Sequence, residues 1–172
     1  MPGTPHMTPE VAEDIASPNT VDQLLDALQH EVAVFARRAE QTRLGGLGPA
    51  RNSMDRAAYL LLSRLDQAGP TGVKSLAAGM GIDSSTVTRQ VAPLVDSGLV
   101  DRAADPDDGR AVVLRLSARG SARLAEVRAS RRKLITALTD GWTDEEREVF
   151  HGQLIRFNDA VARWQSTPGA PR

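Results

Sequence analysis

Six residues within one seven-residue stretch bring together hydroxyls, a guanidinium and an amide: Ser84, Ser85, Thr86, Thr88, Arg89 and Gln90. No activating base stands among them, so their chemistry is recognition by hydrogen bonding rather than bond making. Arginine's planar fork matches the paired acceptors on the edge of guanine, and an outward-pointing glutamine matches adenine. The hydroxyls of Ser84 and Ser85, with the backbone amides of a helix start, suit phosphate oxygens. Val87, Val91, Leu94 and Val95 recur at three- and four-residue steps. The spacing predicts a helix over 84–96, capped by Asp83 or Ser84, with these apolar residues inward and the polar set opposite. Pro93 falls inside that helix, where it removes one backbone donor, so a kink after the polar end is expected, not a break.

A polar helix face on its own is usually just solvated, but the residues after this one change its meaning. Gly98-Leu99-Val100 leads to the run DPDDGR at 105–110, and Ala111 to Leu116 alternates apolar positions as a strand does. Pro106 and Gly109 shape a turn that the side chains of Asp105, Asp107 and Asp108 can hold by accepting backbone amides. Arg110 then falls at the tip or just past it, suited to a narrow minor groove where the potential is most negative. Carboxylates near a phosphate backbone are unfavourable, so at least one is expected to pair with Arg110 or another arginine. Helix, short strand, turn and second strand describe a helix-turn-helix followed by a β-hairpin wing, which places a helix in the major groove of double-stranded DNA.

Catalysis finds little support. His6, His30 and His151 are scattered, without metal-ligand spacing to a second histidine or a carboxylate. Gly45–Gly48 lacks the Lys-Ser/Thr that completes a phosphate-binding loop and reads as a helix stop. Carboxylate pairs fall on turns or helix starts, where the helix dipole accounts for them. No enzyme activity, cofactor or metal is expected. The chain has no cysteine, which excludes disulfides, thiolate zinc sites and thiol redox sensing by its own residues. Its 172 residues carry a net charge of −1, unevenly spread: the segment 71–132 holds ten Lys/Arg against seven Asp/Glu. A basic centre on an acidic frame favours local phosphate contact. With no run of about 20 apolar residues and no basic, apolar leader at the start, the expectation is a cytoplasmic protein without a membrane partner.

The elements that must position the polar helix are legible around it. Residues 1–19 hold four prolines and no apolar period, and read as a mobile tail. Thr20, with Gln23 three residues on, reads as the cap of a first helix. Its apolar face is Val21, Leu24, Leu25, Leu28, Val32, Phe35 and Ala39, and the segment 20–50 closes at Gly45–Pro49. A second helix is expected from Arg51 to about Gln67 around Ala57, Leu60, Leu61 and Leu65, and a third over Val73–Met80 with Leu76 and Ala77 inward. Ser117 opens a long helix to about Thr139, some 30 Å at about 1.5 Å per residue. Thr143 and Glu146 form a capping box ahead of Phe150, Leu154, Phe157, Val161 and Trp164, a narrow coiled-coil-like seam. Apolar faces at both ends of the sequence suggest a two-fold homodimer. The expected layout is therefore a dimerisation helix at 20–50, a winged helix-turn-helix at 51–120, a long helix and second dimerisation helix at 121–165, and a tail at 166–172. The fold class is mainly α with a small β-hairpin.

Between Val73 and Gly120 the chain closely resembles the multiple-antibiotic-resistance regulator (MarR) family. The matching words are SSTVTRQV at 84–91, SGLVDR at 97–102, DPDDGRAVVLRLSARG at 105–120, and the Leu76-Ala77 pair. The wing's Asp-x-Arg falls at Asp108–Arg110 and the Leu-Ser-x-x-Gly word at Leu116–Gly120. One departure is Leu94-Val95, where the family often carries Leu-Glu. The resemblance implies a homodimeric winged-helix transcriptional regulator, a repressor or an activator, on a pseudo-palindromic site. It also implies a small, often aromatic or anionic, effector bound between the DNA-binding and dimer regions. Arg37, Arg38 and Arg56 would meet an anion only if the first two helices border a cleft, and solvated arginines are the simpler reading. The residues by themselves leave two rivals: a winged-helix module whose polar helix meets another protein, and a ligand-binding protein that has lost its DNA role.

Overall fold

The computed structural model describes residues 18–41, 54–105, 109 and 111–167, in two compact units, one ending at Thr42 and one beginning at Arg43. The first unit contributes one described helix, α1 (Pro18–Gln41). It starts two residues ahead of Thr20, because proline's fixed φ suits the first helical position and its missing N–H costs nothing there. The expected tail therefore loses residues 18 and 19 to the helix. The rest of it, and the Gly45–Pro49 stop, lie outside the described residues. Val21, Leu24, Leu25, Leu28, Val32 and Phe35 form the apolar face of α1, and all are exposed, Leu24 by 67%.

The second unit runs α2 (Arg56–Ala68), β1 (Thr71–Gly72), α3 (Val73–Met80), α4 (Ser84–Asp96), β2 (Val100–Ala104), β3 (Val112–Leu116), α5 (Ala118–Leu138) and α6 (Asp144–Gln165). Helix α2 begins at Arg56 rather than Arg51 because the Asp55 carboxylate accepts the N–H groups of Ala57 and Ala58, at 3.1 and 3.4 Å. Its buried face is Leu61, Leu62 and Leu65, which meets α3, α4, α5 and β3. Leu60, expected inward, is 49% exposed, whereas Leu61 and Leu65 are buried as expected. Leu76, Val87, Val91, Leu114, Leu124 and Val127 complete an aliphatic core. Full burial of each such side chain contributes about 1.5–3 kcal/mol. On the rim between α2 and α5, Arg128 bonds Asp66 at 2.6 Å and Ser63 at 3.1 Å, and the Asp66 carboxylate raises its pKa. Arg131 stacks 3.4 Å over the ring of Tyr59, where burial lowers its pKa.

The sheet has three antiparallel strands in the order β1-β3-β2, one more than the expected hairpin. The added strand is only Thr71–Gly72, paired with Leu114 and Val113 of β3. On the other side β3 pairs from Val100↔Leu116 to Ala104↔Val112, which sets Asp101 opposite Arg115 in an exposed ion pair of 3.5 Å.

Helix α4 begins at Asp83. Its carboxylate accepts the Thr86 N–H at 2.7 Å and the hydroxyls of Ser85 and Thr86. These bonds, that from Ser85 foremost and then those from the Thr86 side chain and backbone, hold the carboxyl well below the usual carboxylate range. The helix continues unbroken across Pro93 to Asp96. It ends in a Schellman turn: Gly98 takes φ +68°, its N–H bonds the Val95 carbonyl at 2.9 Å, and the Leu99 N–H bonds that of Leu94 at 2.9 Å.

That turn is where α5 is anchored. Ser117 accepts the Gly120 N–H at its Oγ (2.9 Å), donates its hydroxyl to the Gly98 carbonyl (2.7 Å), and donates its N–H to the Leu99 carbonyl (3.1 Å). A methyl on Gly120 would collide with the Leu99 carbonyl oxygen and lie 3.1 Å from Leu116 Cδ2. At the far end of α5, Gly141 has φ +79°, and Arg147 reaches back to the Thr139 carbonyl at 3.0 Å and its hydroxyl at 3.2 Å. The capping box forms as expected, Glu146 N–H to Thr143 Oγ1 at 3.2 Å and Thr143 N–H to Glu146 Oε2 at 2.7 Å. Helix α6 buries no residue within the chain, and Phe150, Leu154, Phe157, Val161 and Trp164 are all exposed.

Gly120→Ala is expected to lower unfolding free energy by about 1–3 kcal/mol in denaturant titration, because backbone must move to admit the methyl. Asp83→Ala is expected to lower the melting temperature at neutral pH. That gap should narrow as pH falls below the ordinary aspartate value of 3.8, since the stability given by a depressed carboxylate is lost as the folded state takes up its proton.

Candidate nucleic-acid interface

The candidate recognition residues divide into an outward row and a flank. Ser84, Ser85, Thr88 and Arg89 are exposed along one side of α4, opposite the buried Val87, Val91 and Leu94. Thr86 and Gln90 are half-buried beside them. The Gln90 carbonyl oxygen is enclosed without a hydrogen-bond partner, so this side chain does not present itself outward as adenine recognition would require. The row is organised from within. Ser85 and Thr86 give their hydroxyl hydrogens to Asp83, and Thr88 gives its own to the Ser84 carbonyl at 2.8 Å. Asp83, expected only as a cap, thus also orients two of the candidate hydroxyls. The cue is its place one residue ahead of a Ser-Ser-Thr run.

In the wing, Asp105 follows β2 and its N–H bonds the Ala111 carbonyl at 2.9 Å, extending the ladder by one pair. Asp107, Asp108 and Arg110 lie outside the described residues. Between α4 and the wing opens a cleft of about 500 Å³, lined by Val73, Thr88, Val91, Arg102, Gly109 and Val112 among others. Periodicity alone does not reveal it, because it arises from the packing of a helix against two strands. Arg37, Arg38 and Arg56 are exposed. Among the described residues no group of three or more His, Cys, Asp or Glu gathers as a metal site, and no helix is long and apolar enough to cross a membrane.

A short three-stranded sheet, a helix pair and an exposed polar second helix form a winged helix-turn-helix, and comparison with known proteins agrees. The family model of the MarR family matches residues 54–112. Over 136 residues the chain is 32% identical to YxaD, an uncharacterized HTH-type transcriptional regulator of Bacillus subtilis (strain 168), covering 79% of this chain and 94% of that one. A solved MarR family transcription regulator superposes with a TM-score of 0.68 at 19% identity, covering 89% of this chain and 99% of its own. The PcaV transcriptional regulator from Streptomyces coelicolor, solved with its natural ligand, does so with a TM-score of 0.55 at 19% identity, over 88% and 99% of the two chains. The chain belongs to the MarR family of winged helix-turn-helix transcriptional regulators.

Proposed function

We propose that this regulator is a homodimeric repressor of a pseudo-palindromic operator, released by a small-molecule effector. The observation that carries the reading is the exposed row Ser84, Ser85, Thr88 and Arg89 on a helix whose two ends are both tied down. In this reading Arg89 pairs with a guanine, Ser84 meets the backbone, Thr86 and Gln90 flank the contact, and the wing turn of Asp105, Asp107 and Asp108 presents Arg110 to the neighbouring minor groove. Segments 20–50 and 121–165 form the dimer and 51–120 reads DNA. The apolar faces of α1 and α6, each exposed on its own unit, support this division. Two recognition helices would enter successive major grooves about 34 Å apart. Repression needs nothing beyond occupancy of a site that overlaps a promoter. For the effector, the cleft between α4 and the wing, which lies within the DNA-binding segment and not at its junction with the dimer region as the resemblance implies, falls in the ordinary size range of ligand pockets. A molecule held there would fix the spacing of helix and wing, and PcaV provides a related fold solved with its ligand.

Fluorescence-anisotropy titration on the chain's own upstream DNA, against a scrambled duplex at two salt concentrations, tests the reading. A specific duplex should bind at least ~10³-fold tighter than the scramble, and both should weaken with salt. Equal binding to every sequence in a selection experiment would refute it. Arg89→Ala is expected to cost about 1–3 kcal/mol and relax one base position, whereas Arg110→Ala should weaken all sequences evenly and reduce the salt slope by about 1. For the dimer, Phe157→Glu should shift the sedimenting species from twice the chain mass to a single chain while helicity is kept. An unchanged sedimentation coefficient would remove α6 from the interface.

A further inference from the structure

The hydroxyl hydrogens of α4 are already committed. An ionised carboxylate carries no hydrogen, so its bonds with Ser85 Oγ and Thr86 Oγ1 require both hydroxyls to donate. A backbone carbonyl also only accepts, so Thr88 Oγ1 donates to Ser84. Each hydroxyl has a single hydrogen, and what these three can still offer a ligand is oxygen lone pairs. On the exposed row, Ser84 and Arg89 are left as the side-chain donors.

We propose that Asp83 and the Ser84 carbonyl fix the hydrogen-bond polarity of the recognition helix, so that Ser85 and Thr88 read bases as acceptors only. The major groove offers donors at the adenine N6 and cytosine N4 amino groups, and acceptors at guanine O6 and thymine O4. Ser85 and Thr88 therefore select adenine or cytosine, while Arg89 supplies the contact to guanine. The inference rests on α4 being the base-reading helix, and it reverses the expectation that the Ser85 hydroxyl meets a phosphate. Phosphate oxygens only accept, and the Asp83 carboxylate beside Ser85 repels them further. Asp83 touches no base in this account. It determines specificity by deciding which partner a neighbouring hydroxyl will tolerate.

The test starts from duplexes that the full chain selects out of a random pool. In the preferred site each adenine is replaced in turn by purine, which lacks the 6-amino group, and each cytosine by 2-pyrimidinone, which lacks the 4-amino group. Affinities are measured for the wild type, Ser85→Ala and Thr88→Val, with circular dichroism confirming the fold of each. For each hydroxyl, one adenine or cytosine per half-site should show a loss of roughly 2- to 10-fold in the wild type and no further loss in the matching variant. Asp83→Ala, which returns a hydrogen to Ser85, should broaden the selected base there toward guanine or thymine. The proposal is overturned if a specific site is selected but Ser85 or Thr88 couples to a methylphosphonate-neutralised phosphate, to a keto group, or to no base. That result leaves the DNA-binding reading intact. A pool that yields no preferred sequence removes both.

Discussion

The arrangement of this chain depends on the close approach of Gly120 to the Leu99 carbonyl. Three elements meet there. Helix α4 ends in the Gly98 turn, β2 leaves from Leu99 and Val100, and α5 begins at the Ser117 cap, whose one hydroxyl both accepts from Gly120 and donates to Gly98. A side chain at position 120 would push α5 away from this turn and break the Ser117 bonds that define it. The angle between the recognition helix, the wing and the long helix is thus set by backbone contact, which is short and stiff, rather than by interlocking side chains, which can repack. In the proposed reading, where a helix and a hairpin meet two grooves at one spacing, such a stiff origin is an advantage.

Electrostatics at the head of α4 are less simple than a basic DNA-binding surface suggests. The start of a helix carries partial positive charge that would attract a phosphate. Here Asp83 opposes it and takes up the Thr86 amide and two hydroxyls. In the proposed reading, attraction to the DNA backbone then falls to Ser84 and to the arginines and lysines spread over segment 71–132. General affinity and base discrimination would in that reading be carried by different residues, and each could change without the other.

Much of this is legible in the sequence because local chemistry marks it. Asp83, one of the two residues expected to cap α4, caps it, Ser117 and Thr143 cap the helices they are expected to cap, and α3 spans Val73–Met80 as its glycines indicate. What escapes is non-local. The two residues of β1 carry no strand pattern and owe their pairing to β3, some forty positions away. The inward face of α2 is decided by four elements packing on it, so Leu62 is buried and Leu60 is not. At the interface, residue types name the polar row, but not that Gln90 folds inward or that three hydroxyls spend their hydrogens within the helix. Those depend on rotamers, which sequence spacing does not encode.

The aromatic residues of α6 have an optical consequence. The chain has two tryptophans, Trp142 and Trp164, and they bracket this one helix, the first edge-on to Phe150 with ring centres 5.5 Å apart. Its single tyrosine, Tyr59, lies in α2 under the Arg131 guanidinium. Intrinsic tryptophan emission therefore reports on the α6 face, and tyrosine on the seam between α2 and α5. Helices α3 and α4 carry no aromatic chromophore of their own, so the α6 face and the α2–α5 seam can be followed separately in solution without attaching a label.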